Sequence, residues 1–579
     1  MALCTDALEA AIAITTHHDG LSGTEKQAVA DDYAMRMSDG EAVARGLVAE
    51  VLRQKVGLAD VTECHGHLGL NISFCEPTTN SSEFTVVAYN TRGHSATQVL
   101  RVPVGAGQYT VTDSQGKLVA AQLVPVTARD RQLSLLYLQF HEMNNTQKVK
   151  QYTNKAVNVL TFTATVPPVG WTTFTVAKAG AAAPRAGHAH VDTPTAAGSR
   201  TRAVAPDAAP VTISNGVYEV TFDPATGSMS QIKNLASGVT ANVAIDLGFY
   251  NSSIGGCTPG VSSWEEQAAR KVAPDTKQSA AGRSRREEYE YGMDNAVFLD
   301  EQAKNGVRDN NFACDGQKSG AYIFRPNSSA VFPAQCVSDS PTAVNNCAAK
   351  PTFTVVQGPL VQEVHITFND WATVVVRLTK DMPHVEVEYT VGPIPLYSFD
   401  LDTRGHKYLQ GKEVVLRYNT SLQSNGVYYT DSNAREMVQR AYNKRGPAYP
   451  NPYQISEPVA GNYYPINALI GIQDESAGVG FNVAVDRSLG AASLANGEVE
   501  LMVHRRTQDD DSRGVAQPMN ETMCGCRDED PKHIGWLDGW MVGWLVGRLV
   551  GRLVGRLVGR LVCWSARPSF PERKKKEER

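Results

Sequence analysis

From about residue 65 to residue 504 the chain is written in strand grammar, and that rhythm limits its fold more than any other feature. Residues 84–89, 100–104, 118–126, 133–140, 157–165 and 172–176 are rich in β-branched and aromatic side chains and are separated by turn residues. Short strands at this spacing predict an antiparallel sandwich, here over residues 64–178. Residues 179–210 are rich in Ala, Pro, Gly and Thr and carry no period, which reads as a linker. Strand rhythm returns at Val211. Val364, Ile366 and Phe368 alternate with His365 and Thr367, and Val385, Val387, Tyr389 and Val391 alternate with His384, Glu386, Glu388 and Thr390. Such alternation predicts strands with one wet face in a second, larger β domain over 211–523. Segments 257–318 and 398–410 interrupt it, the first charged and centred on Arg283-Ser284-Arg285-Arg286-Glu287-Glu288. A loop of that length is unusual inside a compact domain. The fold class is mainly β.

The start of the chain follows another period. Leu3, Ala7, Ala10, Ala11 and Ile14 recur at helical spacing, predicting a helix that delivers His17-His18-Asp19 to its C-terminal end. Ser22-x-x-Glu25 reads as a capping box for a helix to about Met37 that buries Val29, Tyr33 and Met37. Ser38-x-x-Glu41 reads as the cap of another, with Ala44, Leu47, Val48, Val51 and Leu52 on one face. These hairpins, residues 1–58, are too small to be a domain alone. Neutral imidazole and carboxylate are good zinc ligands. Side chains of adjacent helical residues diverge by about 100°, so one histidine is expected to bind metal and the other to be its neighbour. A satisfied structural cluster at a helix end is the alternative.

With 42% hydrophobic and 20% charged residues, the chain of 579 has the composition of a folded protein. Its net charge of −5 argues against a nucleic-acid partner, and no stretch before residue 530 is apolar and uncharged for long enough to span a membrane. The first residues lack a signal peptide. Seven glycosylation sequons, at Asn71, Asn80, Asn144, Asn251, Asn327, Asn419 and Asn520, point to a secretory history, and ten cysteines agree with it. The natural N-terminus is therefore expected further upstream. Cys64 and Cys75 bracket the first strand and read as a disulfide, with free thiols or half a metal site at Cys64-x-x-His67 as alternatives. Residues 524–579 form a low-complexity tail in which Gly-Arg/Trp-Leu-Val repeats five times from Gly543 to Val562, read as the translation of a simple DNA repeat.

The stretch His17-His18-Asp19-Gly20-x-Ser22-Gly23-Thr24 resembles glycoside hydrolase family 38 α-mannosidases, with the lysosomal branch the nearest. The resemblance continues through Thr221-Phe222-Asp223-Pro224-x-Thr226-Gly227 and Ser319-Gly320-Ala321-Tyr322-Ile323-Phe324-Arg325-Pro326-Asn327. Pro359-Leu360-Val361-Gln362-Glu363-Val364-His365 and Tyr429-Thr430-Asp431-Ser432-Asn433-x-Arg435-Glu436 follow. It ends in Glu457-Pro458-Val459-Ala460-Gly461-Asn462-Tyr463-Tyr464-Pro465 and Leu501-Met502-Val503-His504-Arg505-Arg506. The resemblance implies a helical-bundle remnant followed by antiparallel β-sandwich domains, the larger one galactose-mutarotase-like. It also implies a zinc-assisted retaining glycosidase acting on mannose-containing oligosaccharides in the lysosome, and is compatible with homo-oligomers of a full-length enzyme. By position, His18 corresponds to one Zn2+ ligand, Asp19 to a residue that bonds sugar hydroxyls, and Tyr464 to the pocket rim. Arg505-Arg506 with Asp509-Asp510-Asp511 reads as an ordering ion-pair cluster, or else as a solvated loop. The nucleophile and acid/base are expected upstream of Met1, so the isolated chain is expected to be inactive. A non-catalytic carbohydrate-binding or interaction β-sandwich protein is the competing reading.

Overall fold

The computed structural model of the chain describes residues 2–57, 61, 75–127, 156–179, 195–253, 317–336, 349–392, 394–400, 407–444, 457–520 and 561–566. The strand expected at 133–140, nearly all of the 257–318 segment, and Cys64, His67, Asn71 and Asn144 lie outside them.

Helix α1 (Ala2–Thr15) packs antiparallel-hairpin fashion on α2 (Gln27–Val56), a single helix of 30 residues where two were expected. Gly40 explains the difference. A Cβ there would sit 2.7 Å from the Leu8 Cα, so this glycine lets the two helix backbones touch, and packing overrides its poor helix propensity. Neither expected capping box forms. Lys26 is the N-cap of α2 and makes no side-chain cap bond, while the Ser22 hydroxyl donates to the His18 carbonyl instead. Tyr33 and Met37 are buried as expected, whereas Val29 and Val51 are exposed. A five-residue helix, α3 (Glu76–Asn80), leads into the sheets.

The small β unit is two facing antiparallel sheets. One has the order Glu83–Asn90, Gly170–Lys178, Tyr109–Asp113, and the other Ala96–Val104, Asn158–Val166, Ala121–Pro125, with Ala197–Gly198 added in parallel. Val104, Leu160, Phe162 and Val176 have no exposed surface, and Phe162 meets Phe174 edge-on at 5.0 Å. Residues 195–204 of the expected linker are therefore largely sheet: Ala197–Gly198 joins this unit and Arg200–Val204 joins the next.

The large unit is built on a nine-stranded sheet whose centre is Glu498–Arg506, Lys412–Thr420 and Thr240–Asn251. A five-stranded sheet runs Glu386–Val391, Ala372–Thr379, Val361–Asn369, Thr352–Gln357, Arg200–Val204. Both sheets contribute to one core, with Phe222 against Phe353 and Phe249 against Trp371. A second five-stranded sheet carries Glu436–Ala441, Val427–Ser432, Leu469–Asp474 and Val479–Ala484, with Leu561–Ala566 of the tail as its last strand. Tyr397–Asp400 and Lys407–Gln410 pair as a hairpin where the 398–410 interruption was read.

The alternating strands bury their valines as expected, yet their polar face is not wet. Val364, Ile366 and Val385 are fully buried, and on the opposite face Arg377 binds Glu363, Glu386 and Glu388 while Arg101 of the small unit binds Glu386 at 2.9 Å. The small sandwich covers that face, so its charges are paired rather than hydrated. Gln122, fully buried, stitches the same junction: it donates to Ser199 and the Val361 carbonyl and accepts from the Leu360 and Val361 amides. Gln122→Leu leaves these groups unpaired, so a loss of about 3 kcal/mol is expected, read as an early unfolding transition in denaturant.

A second buried ionic group lies on the central strands of the nine-stranded sheet. Arg417 pairs with Glu498 at 3.2 Å and with Glu500, whose carboxylate also accepts from the Tyr250 and Tyr463 hydroxyls. Burial, reinforced by Glu500 and Asp246 and only partly offset by Arg417, pushes Glu498 from 4.5 up to about 7. The folded state thus holds a proton that the unfolded chain releases. This contribution to stability is full below pH 4.5 and is lost as pH rises through about 7. Thermal midpoints measured across that window should fall with rising pH, and Glu498→Gln should flatten the slope.

Candidate functional site

The site grows from the way α1 stops. After Thr15 the Thr16 hydroxyl bonds back to the Ala13 carbonyl at 2.7 Å, and residues 16–23 form consecutive turns closed by Leu21 N to His17 O (3.0 Å) and Thr24 N to Asp19 O (2.9 Å). Gly20 is required there because a Cβ would lie 2.7 Å from the Thr15 carbonyl. In this turn the imidazoles do not diverge as they would on a helix. Their centroids are 4.2 Å apart, His17 Nε2 lies 3.2 Å from Asp19 Oδ2, and one ligand atom from each of His17, His18 and Asp19 falls within 4.8 Å of the others. The expected divergence is corrected because the chain has left helical geometry before it reaches them.

Asp19 is held from outside the turn. Its Oδ1 accepts from the Tyr322 hydroxyl at 2.7 Å and from Thr24 Oγ1 at 3.0 Å. The Tyr322 bond, then the Thr24 bond, holds the carboxyl below the usual Asp range, and the same contact raises the Tyr322 phenol. Tyr322 comes from the large β unit, 303 residues away in sequence, and the residue is 45% exposed beside the imidazoles' turn. Asp511, buried, receives the Tyr322 and Ile323 amides at 2.7 and 2.9 Å. Nearby, the Gln27 amide donates to Gln517 Oε1 at 3.1 Å, a second tie between the helices and this loop region. Glu25 is buried with neither carboxylate oxygen bonded among the described residues, and burial raises its pKa.

His18 is exposed and has no side-chain hydrogen bond among the described residues, whereas His17 is engaged with Asp19. Two imidazoles and a carboxylate so close together form a donor set of the kind zinc takes. At Tyr464 the Arg440 guanidinium lies 4.0 Å over the ring, and Tyr428 packs on it at 6.2 Å. Its neighbour Tyr463 packs instead against Phe324, two residues after Tyr322. The Arg505–Asp511 region is ordered, as one of its two readings had it, with Arg505 on Glu413, Lys318 on Asp509 and Asp511 on backbone amides. Cys75 is disulfide-bonded, while Cys64 lies outside the described residues. Asn80 and Asn419 are exposed, Asn327 and Asn520 half-buried, and Asn251 is buried in a strand, where a glycan has no exit. Tyr322 was not singled out from the sequence. Its one signal was membership of the Ser319–Asn327 motif, since nothing local shows what its hydroxyl meets. Tyr322→Phe should return the Asp19 carboxyl toward its ordinary range, an upward shift readable by carboxyl-carbon NMR titration.

Residues 213–513, more than half of the chain, match the model described as the glycosyl hydrolases family 38 C-terminal domain. An alpha-mannosidase of Canavalia ensiformis is 31% identical over 527 residues, 89% of this chain and 43% of that protein. The lysosomal alpha-mannosidase of Homo sapiens is 32% identical over 519 residues, 90% of this chain and 40% of that protein. That of Bos taurus is 31% identical over the same length, 90% of this chain and 39% of that protein. The chain thus spans about two fifths of the length of the curated relatives it matches. The matched residues hold the nine-stranded sheet and the loop that brings Tyr322 to Asp19, and the chain belongs to glycoside hydrolase family 38.

Proposed function

We propose that the chain is the C-terminal part of an α-mannosidase and supplies one wall of the site for a terminal α-mannosyl residue. The observation that carries this reading is the bond from Tyr322 to Asp19, which joins a helix-end motif to the family's β domain at an exposed polar surface. A carboxylate that only accepts and a phenol that does both can together bind the adjacent hydroxyls of a sugar. His18 is the metal ligand we assign, because its ring nitrogens are open while His17 is tied to Asp19. Zinc, when bound, would grip sugar hydroxyls and favour the charge that builds on the ring during glycosidic cleavage.

Retaining hydrolysis needs a nucleophilic carboxylate and an acid/base carboxyl close together. We assign neither to this chain, and place both in the part of the relatives that the match does not cover. The relatives named lysosomal, together with the sequons, favour an acidic secretory compartment. Because the match covers about two fifths of the relatives, a second reading stands beside the first: a carbohydrate-binding β protein without turnover.

Equilibrium dialysis with Zn2+ and calorimetry with methyl α-mannoside at acidic pH test the assignment. Binding of both by the full chain is expected, with zinc lost in His18→Ala and the mannoside weakened in Asp19→Asn by about tenfold, the worth of one charged hydrogen bond. A chain that binds neither overturns the site. Release of 4-nitrophenol from its α-mannoside by the chain alone would overturn the placement of the nucleophile elsewhere.

A further inference from the structure

Tyr322 sits at the tip of a tight turn, residues 319–325, and this turn is clamped from beneath by groups that touch neither the imidazoles nor Asp19. Glu413, on Lys412–Thr420, has no exposed surface. Its carboxylate accepts from the Ser319 hydroxyl, from Nε and Nη2 of Arg505 on one flanking strand, and at 3.4 Å from Ser252, which follows the strand flanking it on the other side. Arg505 is shared: the same Nη2 reaches the Ile323 carbonyl at 2.8 Å and Ser319 Oγ at 3.3 Å, so the ion pair holds both ends of the turn. From the other side Asp511 takes the Tyr322 and Ile323 amides. Gly320 N to Ile323 O at 2.9 Å closes the turn, and a Cβ at Gly320 would lie 2.7 Å from Asp511.

We infer that Glu413, acting through Arg505 and Ser319 and opposite Asp511, is a positioning residue that sets the Tyr322 hydroxyl against Asp19. This rests on the mannoside site proposed above. A buried ion pair is a weak source of stability, because desolvation offsets most of its attraction. What this one delivers is geometry: among the described residues, each side-chain bond of Glu413 goes to the turn, to Arg505 that grips the turn, or to Ser252 at the end of the neighbouring strand. A hydroxyl displaced by about an ångström loses its bond to a sugar.

The test uses the full chain with Glu413→Gln, Tyr322→Phe and the double variant. Amide hydrogen exchange of residues 319–325 should quicken about tenfold or more in Glu413→Gln while Lys412–Thr420 and Glu498–Arg506 stay protected. Methyl α-mannoside binding with Zn2+ should weaken about tenfold in Glu413→Gln, and in the Tyr322→Phe background the same change should have no further effect. Additive losses overturn the inference, because Glu413 then acts by a route other than Tyr322. Unchanged exchange in 319–325 overturns it as well. If Tyr322→Phe binds the sugar like the wild type, the mannoside reading fails, and exchange decides the positioning role by itself. Should Glu413→Gln fail to fold, Ser319→Ala keeps the ion pair, and slow exchange in its turn overturns the clamp.

Discussion

A turn that leaves α1 at Thr15 can present His18 and Asp19 in one arrangement only if something outside the turn holds Asp19 still. Thr24 holds it from within, but the shorter bond comes from Tyr322. That bond fixes a helix-end motif to a loop of the nine-stranded sheet, so the site is a property of two units meeting rather than of either one. Its acceptor is charged at any pH above the lowered Asp range, which makes the bond stronger than one between neutral groups. The exposed face of the group stays available because the holding contacts come from beneath and beside it.

The loop that makes this contact depends in turn on charge buried in the sheet below. Glu413 with Arg505, Arg417 with Glu498 and Glu500, and Arg377 with Glu363, Glu386 and Glu388 form three ionic groups on sheet faces. Burying charge is costly unless each group is paired. The sheets accept that cost where a layer or loop must dock in one register: the small sandwich over Glu386, residues 457–463 over Glu500, and the Tyr322 turn over Glu413. The raised Glu498 shows the residual penalty. Its sign favours acid.

The β architecture was legible because half-buried strands write their burial into alternating residues, and Val364, Ile366, Val385 and Val387 are buried as read. The same alternation misled about the other face, since a paired Glu and a hydrated Glu look identical in sequence. The capping boxes failed for a related reason. Ser22 had a nearer carbonyl to bond, and Gly40 serves a helix contact rather than an end. His18 and Asp19 could be read from adjacency and family pattern. Tyr322 and Glu413 could not, because their importance lies in partners 303 and 94 residues away.

The helical hairpin is the less anchored side of the site. Leu21 and Met35 are 55% and 57% exposed, and Ile14 and Val43 are also in water. Burial of apolar surface is what usually fixes one helix pair against a sheet, at about 25 cal/mol for each Å² removed from water. Among the described residues, the polar contacts Tyr322 to Asp19 and Gln27 to Gln517 also tie the hairpin to the β unit. A clamp under Tyr322 then matters more than it would in a site walled by a packed core. A loose turn would let the imidazoles and the phenol drift apart while every sheet stayed folded. Positioning and stability are therefore separable in this protein, and the buried Glu413 lies on the side of positioning.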